Sequence, residues 1–312
     1  MPWWDVPWLG VARLTGVLAC VAMATARLGL LLHELVGHGG AAIALGGRIV
    51  DVRLFWFAGG RIHYELDDPS VATQVIISMA GIGVEVVTGV ALWLAVRGDT
   101  LARRIVRTVG AVLVVHAGWY FATGTWHGYG DGTIVYHLLG DGRYAAAIAG
   151  GAVTCAAAFL GARWLFRAIV TTIPTRRFAS VAIAMVVAAA VNAGLAIGEL
   201  SLRHDTTYGA IMTSERERTI QRDYARWLRD SGAVVDDAAR ERKLRQLETD
   251  NATFPFAYLL AVAVAGSAVA GAWRSRAPFA PSALSGRAVA VAAGVAAASI
   301  AAVVVLDQLL GV

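Results

Sequence analysis

The sequence predicts an all-α polytopic membrane protein of about seven transmembrane helices, with a short β-hairpin after the first and a small helical extramembrane cap. Three observations predict it. Of the 312 residues, 57% are hydrophobic and only 16% charged, and the charges cluster between long runs of Ala, Val, Leu and Gly. A bilayer core needs roughly 20 apolar residues per helical span. Runs of that kind fall near residues 12–46, 70–96, 104–123, 144–170, 178–199, 254–273 and 287–310. Finally, arginines gather at alternate connections: Arg97, Arg103, Arg104 and Arg107 after the second run, Arg163, Arg167, Arg176 and Arg177 after the fourth, Arg274, Arg276 and Arg287 after the sixth.

Those basic loops share one face, which the positive-inside rule assigns to the cytoplasm. The N-terminus is then cytoplasmic, in a plasma membrane, and spans one, three and five end on the outer face. The net charge of +5 comes with no basic stripe interleaved with aromatics, so topology accounts for it and nucleic acid is excluded as a partner. The opening MPWWDVPWLG has no basic n-region and is read as interfacial anchoring by Trp3, Trp4 and Trp8, not as a removable signal. Cys20 and Cys155 lie inside predicted spans and indicate no redox compartment.

The elements follow in order. The first run is longer than one membrane thickness requires, so residues 33–38 can lie within the hydrocarbon near its outer end. Alternating apolar and polar residues around Gly59-Gly60 predict the hairpin, whose edge could pair with an extended peptide. Residues 1–170 form a metal-binding transmembrane core, 171–199 an additional transmembrane helix, 200–252 the cap and 253–312 the C-terminal transmembrane helices. In the cap, Ser214 and Glu217 form a capping box ahead of an amphipathic helix carrying Ile220, Tyr224, Trp227 and Leu228, and a second helix passes through Leu244 and Leu247. Such a cap either filters substrate or packs on itself.

The chemistry concentrates in LLHELVGHGG, residues 31–40. On a regular α-helix His33 and His38 point about 140° apart and cannot share an ion. A π-bulge, at about 82° per residue, brings i and i+5 within about 50° of one another. Gly37, Gly39 and Gly40 make that distortion inexpensive. Two arrangements are open. In one, His33 and His38 bind a metal and Glu34 is a general base beside it. In the other, Glu34 and His38, four apart on an undistorted helix, are both ligands.

The stretch HELVGHGGAAIALGGRIVDVRLF resembles the first core helix of the site-2 protease family of intramembrane zinc metallopeptidases, in which an H-E-x-x-H helix runs through small residues into a β-hairpin. SMAGIGVEVVTGVALWL is similar to that family's Ala-Gly-Pro-x-x-Asn helix, with Ile82 and Gly83 near the proline position and Glu85 where asparagine is usual. HLLGDGRYAAAIAG resembles the Asp-Gly motif that supplies the last protein ligand at the start of a helix. The resemblance covers roughly residues 20–160. It implies a Zn2+ ion held by His33, His38 and Asp141, with Glu34 as catalytic base and a peptide segment within the membrane as substrate.

The connection TGTWHGYGDGTIVYHLLGD lies on the same membrane face as the motif, so His127, Asp131 and His137 stand as alternative third ligands. His116, about two turns inside span three, is a candidate to support the site from behind or to bind a second metal. Arg27 and Glu85 are buried charges that either neutralise one another or leave Arg27 to steady an oxyanion. Glu199 and Asp307 are expected to reach the interface. Two other functions use the same residues: a metal-dependent lipid hydrolase or lipid-modifying enzyme, and a non-enzymatic metal or solute transporter or assembly scaffold.

Overall fold

The computed structural model of the chain describes residues 8–98, 100–169, 177–203, 206–232, 236–252, 255–274 and 284–311. Trp3, Trp4, Arg176 and Arg276, which carry interfacial and topological readings above, lie outside the described residues. Helix α1 (Trp8–Leu31) passes through a π-helical stretch (Leu32–Gly39) into α2 (Gly40–Ala44), then the hairpin β1 (Arg48–Leu54) and β2 (Gly60–Glu65). There follow α3 (Val71–Ala95), α4 (Leu101–His127), the short α5 (Gly132–Leu139), α6 (Gly142–Ile169), α7 (Arg177–Leu202), the cap helices α8 (Thr206–Ser231) and α9 (Asp237–Ala252), α10 (Pro255–Trp273) and α11 (Gly286–Leu310). Seven helices among the described residues are long and apolar enough to cross a membrane: the continuous Trp8–Ala44 unit, α3, α4, α6, α7, α10 and α11. The chain is a multi-pass helical membrane protein with a two-stranded sheet.

Local signals account for the ends. Ser70, Thr100 and Ser285 each accept a hydrogen bond from the backbone N–H three residues on, capping α3, α4 and α11. Gly128, at φ 75°, ends α4 in the left-handed conformation. The first cap helix begins at Thr206, so Ser214 and Glu217 lie inside it and do not start it. Residues 206–213 contain no proline that would stop a helix from propagating backwards.

Between apolar helices in lipid there is little hydrophobic drive, and small residues permit the close approach that holds them. A Cβ on Gly89 would collide with the carbonyl of Gly110, which marks a tight α3–α4 crossing. A Cβ on Gly37 would collide with the backbone of Gly81, which presses the π-helical stretch onto α3. These crossings position the site.

The hairpin is antiparallel, with Val52 opposite Ile62 and Leu54 opposite Gly60. Val52 and Leu54 pack on Val303 of α11, with Leu30, Leu35 and Ile62 around them. Its turn leaves the ladder, so its backbone groups need partners from elsewhere. Those partners are charged. Glu199 accepts hydrogen bonds from the backbone N–H groups of Trp56 (2.6 Å), Phe57 (2.6 Å) and Ala58 (3.1 Å). Asp307 accepts from Leu54 at 2.8 Å, and Arg203 bridges Asp307 and Glu199 at 3.3 and 3.1 Å. Glu199 and Asp307 therefore tie down the hairpin and do not simply reach the interface as expected.

Candidate metal centre

The extra residue in H-E-x-x-x-H is absorbed by the π-helical stretch, in which residues five apart stack. The rings of His33 and His38 lie 4.8 Å apart between centroids, at 81°, and both residues are buried. Their Nε2 atoms converge on one carboxylate oxygen, Asp131 Oδ2, at 2.8 and 3.1 Å.

Asp131 reaches them because the chain reverses after α4. Gly128 and Gly130 both have positive φ (75° and 53°). A Cβ on Gly132 would strike the backbone of Gly124, so the start of α5 folds directly against the end of α4. The opposite wall is Gly81 of α3, where a Cβ would lie 2.8 Å from His33 Nε2 and from His38 Nε2. Gly81 lies ten residues beyond Val71, the start of α3, which sets the cluster about 15 Å along that span.

Each ring's far nitrogen is also placed. His38 Nδ1 is 2.7 Å from the carbonyl oxygen of Ile77. That oxygen can only accept, so Nδ1 carries the proton and Nε2 presents a lone pair when the ring is neutral. A lone pair and a carboxylate oxygen 3.1 Å apart repel unless a cation or a proton lies between them. His33 Nδ1 is buried with no hydrogen-bond partner and stands 3.8 Å from Glu85 Oε2. Glu85, fully buried, engages His116 Nδ1 at 2.9 and 3.1 Å. A carboxylate behind a histidine ligand is the usual device for orienting the ring.

Two imidazoles and one carboxylate, with their ligand atoms within 4.8 Å of one another, form a group that could hold a metal ion. Imidazole nitrogen and carboxylate oxygen are donors that suit several divalent metals. Burial opposes ionisation of Asp131, but its hydrogen bonds to His33 and His38 and their positive charge outweigh that and hold its pKa below the usual carboxylate range.

Of the residues singled out in the sequence, the structure brings together His33, His38 and Asp131, with Glu34, Glu85 and His116 around them. Asp141 is exposed at the turn before α6 and does not join the group. His127 is buried at the end of α4 beside Phe256, and His137 faces the cap helix through Arg222 and Arg226. Arg27 does not pair with Glu85. Its guanidinium donates instead to two carbonyls of the hairpin turn, those of Phe55 (2.6 Å) and Phe57 (3.1 Å). The choice of carboxylate had a visible signal, since Gly-Asp-Gly occurs twice, at 130–132 and 140–142, each time before a helix. Ile77 and Gly81 act through a backbone carbonyl and a missing side chain, for which the residue types give no sign.

Glu34 stands apart from the three. Its carboxylate lies within reach of the backbone N–H of Ile62 on β2. Together with His33, Glu85, His116, Tyr120 and the hairpin turn, it lines a cavity of about 420 Å3. The fold and site define a seven-span helical membrane protein with a His/His/Asp group suited to a metal ion. No family model, curated protein or solved structure matches the chain.

Proposed function

We propose that the protein is a membrane-embedded zinc-dependent hydrolase of the intramembrane metallopeptidase type, its site toward the outer face and its N-terminus cytoplasmic. The observation that carries this reading is the separation of roles. His33, His38 and Asp131 converge on one point, while Glu34, adjacent in sequence, turns to the cavity and to the outer edge of β2. His33, His38 and Asp131 would hold the zinc ion, which would supply Lewis acidity, lowering the pKa of water toward about 7. Glu34 takes the proton from the attacking water and passes it to the leaving amine. Gly60, the first residue of β2, lines the cavity, and an unwound peptide adding to that strand's edge would satisfy its own backbone groups. Gly81 and the buried Ile77 carbonyl hold the imidazoles in place.

One observation favours a lipid substrate instead. An almost wholly apolar groove of about 810 Å3 runs between α1, α4 and α11, and Thr25 lines both this groove and the cavity. Hydrolysis of a transmembrane peptide and of an acyl ester by the purified protein separates the two.

The test of the common core is metal content and hydrolysis in parallel. Glu34→Gln should keep zinc and lose turnover. His33→Ala, His38→Ala and Asp131→Asn should lose both, and Asp141→Asn should keep both. If Glu34→Gln empties the site, Glu34 is a ligand and the assignment as base is wrong.

A further inference from the structure

A second cavity, of about 780 Å3 and of mixed polar and apolar lining, opens beside the Asp131 loop, with Gly130 and Ile77 in its wall. Its walls are the first turns of α3 (Val71, Gln74), the end of β2 (Tyr64, Glu65), α5 (Thr133, His137, Leu138) and Arg222 of the cap. The hydrolytic reading makes no use of it.

Arg222 brings a cation to its rim, and Arg226 stands beside it on the other side of His137. Arg222 Nη1 lies 3.4 Å from His137 Nε2, and Arg226 Nη2 lies 3.3 Å from His137 Nδ1. A neutral imidazole has one acceptor nitrogen and an imidazolium has none, so two guanidinium donors aimed at one ring cannot both be satisfied by it. Arg143 stacks over the Tyr136 ring at 4.1 Å and keeps its Nε buried without a hydrogen-bond partner. Among the described residues, Asp223 is the carboxylate that acts on His137 alongside these cations, and it already accepts from the Tyr136 hydroxyl at 2.6 Å. Glu65 lines the cavity, but it is paired with Arg48. Burial, followed by the charges of Arg222 and Arg226, pushes the His137 pKa down, as expected where cations crowd without enough anions.

We propose that this cavity binds the phosphate of an anionic phospholipid, with Arg222 and Arg226 gripping it around His137. Guanidinium forks match phosphate oxygens, and a second anion supplies the acceptors the ring lacks. The location selects a lipid. The cavity spans the first two turns of one membrane helix and the short helix joining the ends of two others, so it runs from the level of the headgroups inward. Its rim carries apolar side chains left open, Val71 (57% exposed) and Leu138 (53%), where acyl chains would leave the headgroup.

The experiment compares lipid retention and thermal stability of the full-length protein in phosphatidylcholine nanodiscs with and without phosphatidylglycerol. Wild type should retain phosphatidylglycerol through purification and melt at higher temperature with it. Arg222→Gln/Arg226→Gln should weaken retention by about tenfold or more and abolish the shift. Arg97→Gln/Arg103→Gln, on the opposite face, should leave both unchanged. If the glutamine pair does not fold, Arg222→Lys/Arg226→Lys keeps the charge without the fork and should still weaken retention. Equal retention by wild type and the arginine variants would overturn the proposal. Displacement of the lipid by inorganic phosphate alone, with the same thermal shift, would overturn the headgroup assignment in favour of a free anion. None of these readouts depends on zinc or hydrolysis.

Discussion

A single methyl group at Gly81 should uncouple metal binding from folding. A Cβ built there lies 2.8 Å from His33 Cδ2, His33 Nε2 and His38 Nε2. Carbon contacts settle at about 3.5–4.0 Å, so the rings would have to retreat by about 1 Å. They cannot do so independently, because one methyl faces both nitrogens that converge on Asp131. Helix α3 cannot withdraw either without opening its crossings at Gly37 and Gly89. Overpacking of this kind costs about 1–3 kcal/mol of stability. Misplacing first-coordination groups should lower zinc affinity by about 10–100-fold, the scale seen when the groups that orient ligands are lost. The assay is chelator-competition titration of the purified protein. Gly83→Ala serves as control, since that glycine is in the same helix and its Cβ would meet nothing within 4 Å. If Gly81→Ala binds zinc as wild type does, or if Gly83→Ala loses it equally, the convergence of the two imidazoles on one ion is wrong.

Glu85→Gln should weaken zinc by about 10–100-fold by removing the charge behind His33 Nδ1; an unchanged titration would show that Glu85 serves His116 alone. Glu199→Gln should cost about 1.5–3 kcal/mol by weakening charge-assisted bonds to the hairpin turn, and hydrogen exchange at Trp56, Phe57 and Ala58 should accelerate while the α3 amides stay protected. Zinc affinity should fall as pH falls, because imidazoles must be deprotonated to bind. Asp131, whose pKa is held below the ordinary carboxylate range, stays ionised above that depressed value and contributes to the loss only in stronger acid. His38→Ala should make the dependence on proton concentration less steep by about one proton, and an identical slope would show that His38 is not a ligand.

The fold was legible because its causes are local or periodic: span length and hairpin alternation sit in contiguous residues, whereas the helix start read from Ser214 and Glu217 fell inside α8. The π-helical stretch was legible too, since a five-residue histidine spacing beside three glycines admits few geometries. The third ligand was not. Two Gly-Asp-Gly turns lie ten residues apart, and which of them meets His33 depends on the Gly124–Gly132 contact and the positive φ of Gly128 and Gly130. Those are properties of a folded reversal. Arg27 illustrates the same limit from the other side. The sequence shows a buried cation and a buried anion, but the cation's acceptors are the carbonyls of Phe55 and Phe57, which composition does not display.

The charges in the outer spans acquire a reason from the hairpin. Arg27, Glu199, Arg203 and Asp307 belong to α1, to α7 and the turn just after it, and to α11, yet the first, second and fourth end on backbone atoms of Leu54–Ala58 while Arg203 ties Glu199 to Asp307. That turn lines the cavity that Glu34 enters, and the strand leaving it carries Ile62 to Glu34. Ionisable groups in a membrane helix are costly, and a fold keeps them where they satisfy something more costly still. Here that is a reversal of β-structure whose backbone N–H and C=O groups these side chains engage. The metal group itself needs only the first helical unit, α3 and the α4–α5 reversal. Helices α7 and α11 contribute by fixing the hairpin turn that lines the Glu34 cavity, so a change in either can alter that cavity while leaving His33, His38 and Asp131 untouched.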